Sequence, residues 1–511
     1  MPDARGRSLA ERAEPEARRA LGRARRREVP RSVHGEWQAR ANRPDPIAIL
    51  REANAQRIPE LAALKMFRMA ASPFAFFRGA APVMAADLAT LPRTGLVTQI
   101  CGDAHVQNLG AYAAPDGHLV FDLNDFDETI EGPWEWDVKR LATSFVLAGR
   151  EAGAGRTSRR RAVRTLVRAY RETLERLSGL VMLDLLRLEI RRSLQTDVIH
   201  RVLLKAERVT NDYALAKLTV RLRGGARRFH DRPPVLHHVP DRVAHAVLAA
   251  LPSYRETLGP DRQLAFDAYR PVDVAFKVVG TGSVGTRDFV VLLIGHGPED
   301  PLLLQVKEAL PSCYARYLPD APAYTHQGRR VAEGQHRMQS ATDPLLGWTS
   351  LGGRDFIVRQ LADHKAGLEP GALRDDALVS YAEVSGEILA KAHARTGDPA
   401  AIAAYCGRGD RLDRAILRFA SAYADQTERD HARLLEAIRK KEVRAASEFR
   451  LRREGRELAR KRAKPSVRRR PKKPAARMAA SASRAPLPPP APPPAPPLAP
   501  PPSETAGSPP A

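Results

Sequence analysis

The stretch Cys101-Gly102-Asp103-Ala104-His105-Val106-Gln107-Asn108, with Asn124-Asp125-Phe126-Asp127-Glu128 after it, holds the residue types that phosphoryl transfer needs. A Gly-Asp, an Asn five residues beyond the Asp, and an Asp-Phe-Asp behind an apolar strand form a phosphotransferase arrangement. Asp103 would orient or deprotonate an attacking hydroxyl. The amide oxygen of Asn108 and the carboxylate of Asp125 would hold magnesium against the phosphates of a nucleotide. Residues 109–113 and 118–123 read as short strands around the turn Ala114-Pro115-Asp116-Gly117, so a hairpin is expected to return Asp125 to Asn108. Taken singly, Gly-Asp and Asn are also ordinary turn residues.

A second set of such residues begins where the periodicity turns from helical to strand-like, near Val272. Val272, Val274, Phe276 and Val278 alternate and run into Gly280-Thr281-Gly282-Ser283-Val284-Gly285. A strand over 288–294 leaves that loop, and the turn Gly297-Pro298-Glu299-Asp300-Pro301 leads to another over 302–307, ending in Val306-Lys307. A dinucleotide-binding loop would open a helix rather than a strand, and a Walker loop needs Gly-Lys-Ser/Thr where Gly285 is followed by Thr286-Arg287. What fits is a Gly-rich loop of Gly280, Gly282, Ser283 and Gly285 folding over nucleotide phosphates, with Lys307 paired to them. Such a lysine needs a carboxylate from a nearby helix. Glu333, in the helical segment 326–341, is the candidate, with a solvated helix acid as its bland alternative. Residues 355–361 are expected as the last sheet strand. Arg78, in Ser72-Pro73-Phe74-Ala75-Phe76-Phe77-Arg78-Gly79, either reaches a phosphate or fixes its loop.

The remaining segments position these sets. At 511 residues, two or more lobes are expected. Residues 1–45 read as a basic arm, a tail or frayed helix, and 46–68 as helices with one buried face. Helical patterns run over 160–194, 196–221 and 377–440, with a loop over 223–238. The expected organisation is an arm (1–45), a helical lobe with the 101–108 loop and hairpin (46–270), a sheet lobe (271–362), helices completing the first lobe (363–440), and a basic then Pro-rich tail (441–511). Residues 439–473 carry 17 Lys/Arg against 4 acids and residues 1–31 carry 10 Arg against 5 acids, which leaves only about +6 of the net +24 for the body. The basic excess therefore belongs to the ends. Three well-separated cysteines fit a reduced, cytoplasmic protein. Neither a secretory signal nor a membrane span of about 18 apolar residues is expected.

Two resemblances follow from these phrases. Ser72 to Gly79, Asp122-Leu123-Asn124-Asp125-Phe126-Asp127-Glu128-Thr129 and Glu333-Gly334-Gln335 resemble the bacterial domain-of-unknown-function family numbered 2252, across roughly residues 30–435. Gly102-Asp103 through Asn108, Asp125-Phe126-Asp127, Gly132-Pro133 and Trp136-Asp137-Val138-Lys139-Arg140-Leu141-Ala142 resemble, more distantly, the aminoglycoside and choline kinase branch of the protein-kinase-like fold. That resemblance implies an α+β, bilobal fold with a mainly helical lobe and a small antiparallel-sheet lobe. It makes Asp103 the base, Asn108 and Asp125 the magnesium ligands, and Asp137 the brace of the 101–108 loop; His105 matches a histidine two places after the base. Two departures stand out. Cys101 replaces a frequent His, and Asp122 sits closer to the family's Asn-to-Asp interval than Asp125, so the metal ligand is either. The Gly-rich loop and Lys307 also follow the 101–108 loop instead of preceding it. The helix with Leu389-Ala390-Lys391-Ala392-His393 comes later still, which implies circular permutation.

The leading expectation is an ATP- and magnesium-dependent phosphotransferase acting on a hydroxyl of an unidentified small-molecule or protein acceptor. The same parts with the nucleotide reversed would transfer AMP. From another class comes a nucleotide-binding pseudokinase whose basic 439–473 segment contacts nucleic acid or an anionic surface through phosphates; only Phe449 is there for base stacking. An Asp/His metallohydrolase on Asp103, His105 and Asp125 leaves the Gly-rich loop and Lys307 without a role.

Overall fold

The computed structural model describes residues 14–190, 196–223, 225–278, 280, 282–297, 299–361 and 366–454. The chain is α+β, with antiparallel sheets and an extensive helical region. The sheet region is built from β7 (Leu236–His238), β8 (Arg270–Lys277), β9 (Asp288–Ile294), β10 (Pro301–Glu308), β11 (Gly347–Leu351) and β12 (Arg354–Gln360), in the order β11-β12-β10-β9-β8-β7. Every pairing is antiparallel. The central strand β9 reads Asp-Phe-Val-Val-Leu-Leu-Ile and is buried throughout. Its alternation explains why: Phe289, Val291 and Leu293 face a cluster with Tyr254 and Phe356, while Val290, Leu292 and Ile294 face one with Leu215 and Phe229. A sheet covered on both faces needs apolar side chains at both phases of the two-residue period.

The helical region holds the largest apolar cluster, centred on Trp134–Glu151, Arg156–Leu177, Asp375–Thr396 and Arg411–Arg439. The close crossing of two of these helices requires a glycine, since a Cβ on Gly386 would collide with the Leu166 carbonyl. Against this cluster lie β1 (Val97–Ile100), which pairs with β4 (Ile130–Pro133), and the hairpin of β2 (Leu109–Ala113) with β3 (Leu119–Leu123).

Some segments differ from the expectation. Pro15–Glu28 is a helix whose Gly22 packs on the Ala401 backbone, so this part of the arm is docked. Residues 223–238, expected as a loop, supply β6 (Arg227–Phe229), which pairs with β5 (Thr219–Arg221), and the edge strand β7. These three-residue strands are too short to declare a period in a run crowded with Arg, His and Pro. β11 also went unforeseen, paired with β12 through the turn at Gly352-Gly353, both with positive φ. Among the described residues no helix is long and apolar enough to cross a membrane. The residues of the expected tail beyond 454 lie outside the described residues.

Candidate active site

The hairpin has the expected geometry. β2 and β3 pair from Leu109↔Leu123 to Ala113↔Leu119 around a turn whose Gly117 takes φ +88°. Just beyond the paired end Asn124 N donates to Asn108 O at 3.0 Å, so Asn108 and the Asp-Phe-Asp are neighbours. The alternation then works across three residues: Phe126 is buried in the helical core, and Asp125 and Asp127 on either side of it line one cavity.

The 101–108 loop is held from two sides. Asp137, in the first turn of Trp134–Glu151, accepts from Cys101 N at 2.8 Å and Gly102 N at 3.0 Å, with His393 Nε2 at 3.3 Å. Gly102 has φ +79°, and a Cβ there would stand 2.5 Å from the Glu128 carbonyl. Asn108 Nδ2 donates to Asp103 O at 2.6 Å, which leaves its Oδ1 as the amide's acceptor atom. Arg140 Nε donates to Asp103 Oδ1 at 2.8 Å, and Arg140 itself is fully buried over the Phe77 ring. Burial opposes ionisation of Asp103, but the Arg140 guanidinium outweighs it and holds the carboxyl below its ordinary value. Burial pushes His105 down to about 3, so its ring is neutral. Its Nδ1 accepts from Gln107 N at 3.2 Å, which puts the proton on Nε2, 3.8 Å from Asp103 Oδ2.

The glycine-rich loop arrives from the sheet. Gly280 and Gly285 take positive φ, and a Cβ on Gly282 would lie 3.9 Å from Asp103 Oδ2, so the loop sits directly over that carboxylate. Val279 and Thr281 lie outside the described residues. Ser283 Oγ donates to Asp127 Oδ2 at 2.8 Å, and Lys307 Nζ forms an ion pair with the same oxygen. Burial raises Asp125 to about 6, with the neighbouring Asp127 adding to it; Asp127 is likewise buried, yet Lys307 draws it down to about 2. Two close carboxylates thus share one lysine, with Arg359 also acting on both.

Three expected assignments change. Lys307 is not held by Glu333: that carboxylate accepts from Arg329 Nε at 2.6 Å and pairs with Arg337 at 3.2 Å, the arginines four residues to either side on its own helix. Asp127 takes the lysine instead. Asp122 does not reach the cleft. It lies on the opposite phase of β3 from Leu123, fully buried in an ion pair with Lys391, so of the two metal candidates only Asp125 faces the cavity. Arg78 does not brace its loop through any hydrogen bond or ion pair among the described residues; it lines a cavity with Asp103.

Two adjoining cavities result. One, of about 350 Å³, is lined by Asp125, Ser283, Gly280 and Lys307, with Tyr213 and Leu361 among its apolar walls. The other, of about 50 Å³, is lined by Asp103, Asp125, Asp127 and Ser283 together with Arg57, Lys65 and Arg78. Larger clefts of about 690 and 800 Å³ elsewhere hold none of Asp103, Asp125 and Lys307. Size does not pick the site; the convergence of titratable groups does. Sequence reasoning missed Asp127, Arg140, Arg57, Lys65 and Arg359. The signals were there for two of them: Asp127 completes the Asp-Phe-Asp, and Lys65 sits between Leu64 and Met66 on a buried helix face.

Beside Lys307, across the β9–β10 pair, stands Asp288, with Gln305 Nε2 donating to its Oδ2 at 2.7 Å. Burial raises Asp288 to about 7, with Lys307 only partly offsetting it. An acid whose folded pKa is raised binds more protons folded than unfolded, so stability falls as pH rises from about 4 through 7 and stays lower above. Asp288→Asn removes the charged form. It is expected to stabilise the protein by about 1–2 kcal/mol at pH 8 and not at pH 4, roughly half of what a shift of this size converts to. Urea denaturation at the two pH values measures it, and an equal effect at both would refute the assignment.

An α+β protein with a lysine–carboxylate cluster closed over by a glycine-rich loop between sheet strands is the class that this fold and cleft define. A family model described as "Uncharacterized protein conserved in bacteria (DUF2252)" matches residues 57–437, and the chain belongs to that family. No curated protein and no solved structure matches the chain.

Proposed function

We propose that the protein is an ATP- and magnesium-dependent phosphotransferase with a circularly permuted kinase-like fold. One observation carries the reading: Lys307 and Asp125, from segments far apart in the chain, line a single cavity beneath Gly280 and Ser283, next to Asp103. The 350 Å³ cavity suits a nucleotide, with apolar walls at Tyr213 and Leu361 for the base and Lys307, Lys277 and Arg359 for phosphates. No three His, Cys, Asp or Glu side chains converge as a metal cage among the described residues. Magnesium in a nucleotide site needs no such cage, since one or two carboxylates and the phosphates hold it. Asp125 and Asp127, which line the cavity, and the Asn108 amide beside the hairpin's paired end fit that donor set. Bound magnesium would neutralise phosphate charge there.

The chain's own groups do the positioning. Asp103, kept ionised by Arg140 and faced by the Nε2–H of His105, accepts a hydrogen bond from the acceptor hydroxyl and orients its oxygen for in-line attack. The proton moves to the Asp103 carboxylate as the bond from the acceptor oxygen to the γ-phosphorus forms, while the bond from that phosphorus to the β–γ bridging oxygen breaks and ADP leaves. The Gly280–Gly285 loop covers the phosphates, Ser283 offers a hydroxyl donor, and Lys307 exchanges Asp127 for phosphate oxygens. Support for permutation comes from the end of Asp375–Thr396: Thr396 Oγ1 lies 2.6 Å from Thr98 Oγ1 and accepts from Gln99 N at 3.2 Å. The two segments that permutation would separate are therefore side by side.

The test is denaturation of the full chain with Mg²⁺ and ATP, followed by parallel incubations with γ-labelled and α-labelled ATP. Binding at a hundredfold excess over Kd is expected to stabilise by about 2.7 kcal/mol. Label is expected to leave from the γ position; release of the α label into an acceptor would mean AMP transfer, and stabilisation without turnover a nucleotide-binding pseudokinase. Absence of any magnesium-dependent nucleotide effect would sink the reading.

A further inference from the structure

The 50 Å³ cavity has three basic side chains that the phosphotransfer scheme does not use, of which Lys65 is held well below its ordinary pKa by burial and by the neighbouring Arg57. Lys65, only 2 % exposed, makes no hydrogen bond or ion pair among the described residues. Arg78 likewise has none, and its Nε is buried without a partner. Arg57 donates from Nη1 to the Val284 carbonyl at 2.8 Å, while its Nε is also orphaned. Of the acids on the same wall, Asp125 accepts from Asp127 N at 3.3 Å and has no ion pair among the described residues, and the others are taken. Asp103 belongs to Arg140, Asp127 to Lys307, and Glu308 to Arg287 and Arg354; Glu128 accepts from Cys313 N at 2.7 Å. Burying cations without counter-charge is costly, and the cost is sustained where a ligand supplies that charge. A space of 50 Å³ holds roughly three to five water-sized probes, enough for one tetrahedral oxyanion and too small for a nucleoside.

We propose that Arg57, Lys65 and Arg78 form a binding site for a phosphate-sized oxyanion beside Asp103. It rests on the phosphotransferase reading for its purpose: the anion belongs either to an acceptor that already carries a phosphate or similar group, or to the terminal phosphate of the nucleotide. Arginine forks and a lysine point charge are the usual holders of such oxygens. The loop that covers Asp103 also fixes the subsite, because Ile58 N donates to Gly285 O at 2.8 Å and a Cβ on Gly285 would lie 3.0 Å from Arg57 Cβ. Occupancy of the subsite would therefore bear on the position of the Gly-rich loop.

The experiment is a thermal-shift titration of the full chain with inorganic phosphate at constant ionic strength, with chloride as the reference salt. Phosphate is expected to raise Tm saturably. Lys65→Met, close in volume and free of the buried charge, should fold at least as well and lose the response. Arg78→Gln should weaken the apparent affinity about tenfold or more. Repeating the titration with Mg²⁺ and a non-hydrolysable ATP analogue separates the sources: a surviving response assigns the subsite to the acceptor, and a response abolished by the analogue but kept with ADP assigns it to the terminal phosphate. A phosphate effect no larger than that of chloride, or one unchanged in both variants, overturns the proposal. Phosphate binding needs no nucleotide, so its failure and the failure of nucleotide binding are seen separately.

Discussion

Asp103→Asn is expected to lower transfer of label from γ-labelled ATP by about 10²–10⁴ while leaving magnesium–nucleotide affinity within a few-fold of wild type. The carboxylate sits beneath the Gly-rich loop with one oxygen on Arg140 and the other facing His105. Asparagine keeps an oxygen for the buried Arg140 guanidinium, so the loss of stability is limited to about 1–3 kcal/mol, the range for a weakened buried hydrogen bond. What it cannot do is take a proton or hold an acceptor hydroxyl by charge. Turnover and nucleotide titration on the same preparation distinguish the two effects. Turnover unchanged in Asp103→Asn would refute the assignment, and lost nucleotide binding would mean that Asp103 serves the fold instead.

The largest stability effect is expected at Lys391. Its ammonium and the Asp122 carboxylate form an ion pair from which water is excluded, with Ser340 Oγ 3.3 Å from the same carboxylate oxygen. Lys391→Met leaves that carboxylate buried without its counter-ion, at a cost of about 3–5 kcal/mol. The double variant Asp122→Asn/Lys391→Met removes both charges and should recover most of that loss, because an isolated buried charge is worse than none. Denaturant midpoints of wild type, single and double variants measure it. A single variant within about 1 kcal/mol of wild type would show that water reaches the pair.

Much of the architecture was legible because it is local. Alternation marked β8, the Gly-rich loop and the turn at 297–301 bounded β9 and β10, and a tight turn set the hairpin that carries Asn108 to the Asp-Phe-Asp. Short range was also where it failed. The three-residue strands β6 and β7 give too few residues for a period, and the docking of Pro15–Glu28 depends on the Ala401 backbone, which no feature of an Arg-rich helix announces. Family membership was legible through phrases, since these survive as runs of adjacent residues.

By itself the sequence determined which residues carry charge and which segments are strands, helices or tight turns, since propensity, periodicity and glycine φ act within a few residues. Only the tertiary structure decided which charges meet. Lys307 finds Asp127 across 180 positions while Glu333 is captured by the arginines of its own helix, and Asp122 is turned inward to Lys391 while Asp125 and Asp127 face the cleft. Coulomb attraction and desolvation depend on distance through space and on the medium between the groups. Neither is a property of position along the chain. For the same reason Arg57 and Lys65, unremarkable in the sequence, join Arg78, which the sequence does single out, as a cluster of basic side chains without ion pairs among the described residues only once the fold encloses them around Asp103.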